Sequence, residues 1–412
     1  MTSMRNRIRH LSVLALIPLT VACGDVLTLD VEAPGRIADE DLNNPDAIGA
    51  LVVGMSYDLT QAIDGMLQDM AMASGNLWHG GSYDFGTIPL GNLDEDLELW
   101  DGEWGSMSQA RWVAEDGIRR IAQVLDESAF NRNADVARAY LLAGFANRLM
   151  GEMVCTTTLD GGPELPHTEH FERADSLFSR AITIGQAAGT PDVVEAAYGG
   201  RASIKAWLGS WSAAEADAAN VDADFSYDAY FSTSSVPNDL VYETTQRKEF
   251  TVFMSEWEDY PDDPRVPWQI VFDNAGQVEK GQDGSTDFYQ QLKYLDQDAD
   301  VPLTHGTEML VLRAEARLRD GDLPGMTNLL NQAREEYGMD PLSVPATVAD
   351  AWPILRFERY ATTWLELRKL WDLRRFAEEG GAVADPFAVG RDTCMPISDE
   401  ERRANPNLEI VG

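Results

Sequence analysis

Three groups of residues in this chain of 412 have the types and spacing to do chemistry: aromatics in irregular stretches, a histidine pair and a run of alternating aspartates. Trp78, Tyr83, Phe85 and Trp100 lie in the Gly-rich stretch SGNLWHGGSYDFGTIPLGNLDEDLELWDGEW (74–104), with Asn76 and Asp84 as polar partners; Trp257, Tyr260 and Trp268 lie in a second irregular stretch. Aromatic faces stack on the C–H surfaces of sugars, while amides and carboxylates bond the hydroxyls. The same rings could instead pack loops onto the body. Trp104, Trp207, Trp211, Trp364 and Trp371 fall on helical patterns and read as structural.

Metal and catalytic patterns are weaker. His167-x2-His170 has ligand spacing but no obvious third ligand. Asp296-Gln-Asp298-Ala-Asp300 begins like a calcium loop, yet Val301 replaces the required Gly and Thr307 the bidentate Glu, leaving only a looser calcium site as an option. No GxSxG elbow, phosphate-binding Gly loop or HExxH occurs. A polysaccharide hydrolase would need two carboxylates about 5–10 Å apart, a demand that 69 acids leave unspecified. The expectation is a non-enzyme with no catalytic residues, no metal and no cofactor.

The N-terminus carries an address. Arg5, Arg7 and Arg9 precede a mostly apolar run from Leu11 to Val21, then Ala22 and Cys23. Eleven residues rise only about 16 Å as a helix, too short for a bilayer that needs about 20 residues. Ala22-Cys23-Gly24-Asp25 resembles a bacterial lipobox, with Thr20 departing from the usual leucine. The resemblance implies cleavage before Cys23 and acyl chains (palmitate among them) on the mature N-terminus. An ordinary secreted protein is the alternative.

Formal charge is −37; the signal segment holds three arginines and no acid, so the remainder has 29 basic and 69 acidic residues, or −40. Such a field repels phosphate backbones and argues against nucleic-acid binding. Apolar residues at 44% exclude a disordered chain. Beyond the signal, Cys155 and Cys394 remain, and an exported compartment permits their pairing. A bridge would close a loop of roughly 240 residues and contribute at most about 4–5 kcal/mol. Two buried thiols are the other option.

These candidates need a frame. Residues 1–22 read as a signal peptide, 23–45 as a polar tether and 46–412 as one domain, with helical core segments at about 46–73, 105–221 and 305–380 and loop-rich segments at about 74–104 and 222–304. Asp46 is placed to cap the first helix. Residues 202–214 (ASIKAWLGSWSAA) align without gaps on 314–326 (AEARLRDGDLPGM), setting Gly209 on Gly321 between two helices each time. That is the logic of tetratricopeptide-like hairpins, and 171–188 with 193–208 fits it too. The expected fold is mainly α, a helical-pair core carrying a loop-rich insertion with some strand pairs.

The segment 354–376 has Ile354, Phe357, Ala361, Trp364 and Trp371 on one helix face. It reads as a single long amphipathic helix with Glu366–Lys369, Arg368–Asp372 and Asp372–Arg375 pairs on its surface. Glu358-Arg359, Glu366, Arg368 and Asp372-Leu373-Arg374-Arg375, followed by Pro396-Ile397, Glu400 and Asn405-Pro406-Asn407-Leu408, resemble the SusD/RagB family of outer-membrane nutrient-binding lipoproteins. Ala314-Glu315-Ala316, the turn Asp262-Asp263-Pro264-Arg265 and the opening Gly54 to Leu59 are similar to that family as well.

The resemblance implies a helical core with a loop-rich ligand face, lipid anchoring at the cell outer membrane, and a TonB-dependent SusC-like barrel as partner for delivery of glycans or other nutrients. Trp78, Tyr83, Trp100, Trp257 and Tyr260 are the candidate ligand contacts. Cys155-Thr-Thr-Thr-Leu-Asp-Gly-Gly-Pro163 departs from the family's usual loop, which bars transfer of ligand contacts from starch binders. A helical-repeat envelope scaffold that binds only other proteins is the rival reading.

Overall fold

The computed structural model describes residues 39–81, 84–94 and 100–409. It divides into units of residues 1–40 and 41–412. The first falls almost wholly outside the described residues, Cys23 included, and the helical body is the second.

Helix α1 (Ile48–Ala73) starts behind a 3-10 turn whose cap is Asn44, accepting from Asp46 N. Asp46 is therefore inside the turn and is not the cap. Next come strand β1 (Trp78–His79), α2 (Trp100–Val124), the single turn α3 (Glu127–Phe130) and α4 (Ala134–Met153). Helix α2 begins four residues before the expected loop ends, because Trp100 and Trp104 insert edge-to-face into the core. Strands β2 (Thr156–Thr157) and β3 (Leu165–Pro166) pair before α5 (Thr168–Ala188).

Helices α4 and α5 interlock through glycines. A side chain on Gly144 would meet Phe178 at 2.6 Å, and one on Gly151 would meet Phe171 at 2.5 Å. The two glycines lie seven residues apart, as do the two phenylalanines, about two helical turns, so the antiparallel helices approach along one stripe.

The expected hairpins follow. Gly189 (φ 75°) joins α5 to α6 (Pro191–Trp207), Gly209 (φ 76°) joins α6 to α7 (Trp211–Ala218), and Gly321 (φ 76°) joins two later helices. All three adopt the left-handed turn that only glycine reaches without strain. The fold is mainly helical, as the sequence predicts.

Between the hairpins lies the insertion, closed at its base by antiparallel pairing of β4 (Ser226–Ala229) with β8 (Val301–His305). Inside it are α8 (Asp239–Thr245), β5 (Phe250–Thr251), and the hairpin of β6 (Trp268–Ile270) with β7 (Tyr289–Gln291). Helix α9 (Gly306–Arg319) leaves β8 directly, His305 Nδ1 accepting from Glu308 N at 3.2 Å; α10 (Leu323–Glu335) is capped by Asp322.

The single long helix expected over 354–376 is two, α11 (Val348–Thr362) and α12 (Lys369–Glu379). Between them Leu365 (φ 57°) and Leu367 (φ 66°) are left-handed, a conformation that costs roughly 1–2 kcal/mol per residue. Buried ionic bonds hold the break. Glu366 turns inward to Lys293 Nζ (2.6 Å) and His305 Nε2 (3.0 Å), and Leu365 O accepts from the Tyr294 hydroxyl.

The anticipated surface pairs are likewise interior. Asp372 is fully buried between Arg359 Nε (2.6 Å) and Arg375 Nε (2.7 Å), and Arg375 grips Glu315 of α9 with both amino groups. Arg148 of α4 joins Glu152 and Glu308. Burial alone would raise the Glu315 carboxyl, but Arg375 and Arg319 outweigh it and hold Glu315 down to about 2. The last helix, α13 (Asp399–Ala404), is capped by Ser398. The Cys155 and Cys394 sulfurs are joined, Met395 N donates to Met153 O, and Asn405 and Asn407 bond Gly162 O and Gly161 O. Among the described residues no helix is long and apolar enough to cross a membrane.

Candidate functional site

The two aromatic stretches that the sequence separates by about 170 residues meet in one place. Strand β1 pairs with β5, Trp78 opposite Thr251 and His79 opposite Phe250. Asn76 Oδ1 accepts from Trp257 Nε1 at 2.9 Å. Gly80 is stitched on both sides, its N–H to Glu249 O and its carbonyl to Asp283 N.

Within this junction the candidates divide. Trp257 and Trp100 are each 1% exposed, so neither offers a face to a ligand. Trp100 donates its indole N–H to Pro396 O, tying α2 to the C-terminal segment. Trp257 packs against Phe357 and roofs the buried Lys369 ammonium, 5.7 Å from the ring centre. Both are structural, and Asn76 serves Trp257. Trp78 is half-buried in its strand. Tyr83 lies outside the described residues. Tyr260 is 44% exposed, propped against Trp257 and Phe357.

The most open arrangement is on the β6–β7 hairpin. Trp268 and Tyr289 lie stacked, ring centres 5.3 Å apart and planes within 2°. Both are half-buried. Strand pairing puts Ile270 opposite Tyr289 and Gln291 opposite Trp268, so the two rings meet diagonally on one face. Trp268 is pinned by its indole N–H to Trp257 O (3.1 Å), and Tyr289 by its backbone N–H to Thr251 Oγ1 (2.8 Å). Phe253 meets Tyr289 edge-on at 5.2 Å. Phe253, Tyr289 and Trp268 thus form one ring cluster and Trp257 with Tyr260 another, joined through the Trp268 indole bond to the backbone of the buried Trp257. Burial, with Glu258 and Asp287 nearby, raises the Tyr289 phenol further above its ordinary value.

Tyr289 sits in FYQQLKYL, where it reads as one more strand aromatic; only the hairpin register sets it on Trp268. The metal-like patterns dissolve into packing. His170 is buried between Asn147 Oδ1 and Thr157 Oγ1 on the first turn of α5, and burial with Arg111 nearby lowers it to about 3. His167 bonds Gly151 O and is lowered by burial and Arg374 to about 4. Asp296, Asp298 and Asp300 each accept from a backbone N–H (Asp298, Thr233 and Phe231), fastening their own loop. Among the described residues no group of three His, Cys, Asp or Glu side chains could hold a metal.

A hairpin-repeat helical body with an inserted aromatic subdomain is the class that this geometry defines. Residues 232–393 match the SusD family model. The chain is similar in fold to a SusD-like carbohydrate binding protein from Bacteroides vulgatus (TM-score 0.67, 14% identity, 88% of this chain and 97% of that one). A SusD homolog from Bacteroides thetaiotaomicron matches likewise (TM-score 0.66, 14% identity, 89% and 97%). A further SusD/RagB family protein from that organism gives a TM-score of 0.63 at 12% identity over 86% and 94%. None of the curated proteins matches in sequence. The chain thus carries the SusD family pattern over residues 232–393, on a fold shared with SusD-like structures.

Proposed function

We propose that the chain is a non-enzymatic, lipid-anchored outer-membrane protein that binds a glycan on the Trp268–Tyr289 face and passes it to a TonB-dependent SusC-like barrel. The observation that carries the reading is the pinned, parallel ring pair on a subdomain that also exposes Tyr260. Sugar stacking needs a rigid ring with one open face, and rigidity fixed before binding spares the ordering cost. The relative described as carbohydrate binding supports the same chemistry. A protein-only scaffold would gain nothing from anchoring Trp268 and Tyr289 so tightly at a surface. In this reading residues 1–22 are the signal, Cys23 carries the lipid, and 23–45 tether the body to the membrane.

Two experiments test it. On a glycan array, Tyr289→Ala should weaken binding about tenfold, the value of roughly 1.4 kcal/mol of lost stacking, with the fold intact. An array silent for the native chain refutes the glycan. Cys23→Ala should release the protein from membranes, and retention there refutes the anchor.

A further inference from the structure

At the base of the same hairpin, where Leu292 N donates to Pro267 O, a pocket of about 450 Å³ opens between the insertion and the α9 and α10 helices. That volume falls within the roughly 300–1,000 Å³ of small-molecule sites. Phe225, Pro264, Pro267, Leu292 and Pro302 supply its apolar surface among a larger number of polar residues.

Most of its polar residues are committed, the carboxylates Asp224 and Glu336 apart. Glu366 accepts from Lys293 with one oxygen and meets His305 Nε2 with the other. Arg265 spends its guanidinium on Asp263 and Glu358. His305 Nδ1 and Tyr337 both bond Thr307 Oγ1. Every cation here thus already faces an anion, and an incoming anion would have to break Lys293 from Glu366.

Two further hydrogen-bonding positions are open besides those carboxylates. Thr362 lines the pocket, is 3% exposed, and its Oγ1 finds no partner. A buried hydroxyl without a partner is disfavoured, and helix positions of this kind usually bond back to their own backbone. The Lys293 ammonium gives two of its three hydrogens to Trp364 O and Glu366 Oε1, leaving one.

Open hydroxyl and ammonium positions, carboxylates that accept from hydroxyls and an apolar surface match one sugar ring. We propose that this pocket is a second binding subsite, taking a single neutral polyhydroxylated ring whose hydroxyls meet Thr362 Oγ1 and Lys293 Nζ. It deepens the glycan reading and rests on it, but it uses residues separate from the Trp268–Tyr289 face.

Saturation-transfer NMR on the full chain, with glucose, galactose, mannose, xylose and N-acetylglucosamine, tests the subsite. At least one sugar should give a signal, about tenfold weaker in Thr362→Val and kept in Thr362→Ser. Thr362→Val should also melt no lower than the native chain, since it removes an unpartnered hydroxyl at nearly constant volume. Glucose 6-phosphate should bind less well than glucose. Tyr289→Ala should leave the single-sugar signal in place, even if glycan-array binding by that variant or by the native chain fails. The subsite is refuted if none of the five sugars signals, if Thr362→Val binds like the native chain, if the phosphate binds more tightly, or if Tyr289→Ala abolishes the signal.

Discussion

The ionic core and the aromatic insertion use charge and burial in opposite ways. Between α4, α9, α11 and α12, Arg148, Arg359 and Arg375 are buried against Glu152, Glu308, Glu315 and Asp372 at bonding distance. On the insertion, uncharged rings are propped by backbone bonds and left half-open. The residues that carry the family pattern lie in the first region. Glu358, for example, takes Arg265 from the Asp-Pro-Arg turn and Arg334 from α10, so separate motifs turn out to be partners in one network. Strong sequence pattern here marks architecture, because buried charges tolerate few replacements, whereas a stacking face needs only an aromatic ring somewhere on it.

That contrast is open to test, beginning with the largest effect. Arg375→Ala leaves Glu315 and Asp372 short of a buried partner and should cost about 3–5 kcal/mol in chemical denaturation. A loss below about 1 kcal/mol would show that the network is not what joins α9 to α12.

Trp257→Ala and Tyr289→Ala make a matched pair. The first empties a core position and should cost about 3–5 kcal/mol. The second should cost under about 1.5 kcal/mol while weakening glycan binding about tenfold. Equal destabilisation would erase the division between supporting and contacting aromatics.

A smaller effect comes from pH. Asp64 and Asp69 of α1 and Glu103 of α2 share a seam in which the Glu103 carboxylate lies against Gly65. Burial raises Asp64 and Asp69 to about 7, and burial with those two neighbours raises Glu103 to about 8. A raised carboxyl stabilises fully below its unfolded value, 3.8 or 4.5, and loses that contribution as pH rises through 7 to 8. Glu315 and Glu366, both held at about 2, act with the opposite sign and lose theirs as pH falls from 4.5 towards 2. Stability should therefore peak near pH 4, close to the unfolded carboxyl values, and decline from there to about pH 8. Asp69→Asn should flatten the alkaline limb, and an unchanged slope would remove the seam as its source.

The helical hairpins were legible because their cause is local. Gly209 and Gly321 mark turns that need a left-handed residue, and the apolar spacing on either side has the helical period. The helix break at 363–368 was not legible: nothing nearby in sequence says that Glu366 will meet Lys293, 73 positions away, and His305, 61 away. Surface and interior charge pairs have the same helical spacing, so the pattern alone set them outside. The candidate site failed in the same manner. Trp100 and Trp257 stand among glycines and prolines like ligand-facing rings, and only packing against Trp104 and Phe357 makes them core.

By itself, then, the sequence determined the mainly helical body and the glycine turns that join its paired helices. These follow from periodicity, turn chemistry and composition, each contained within a few neighbouring residues. Which rings face solvent, where the long helix breaks and which charges are interior were decided by the tertiary structure. Each depends on partners 60 to 180 positions distant, such as Asn76 with Trp257 or Arg375 with Glu315, and side-chain burial exists only once those partners meet.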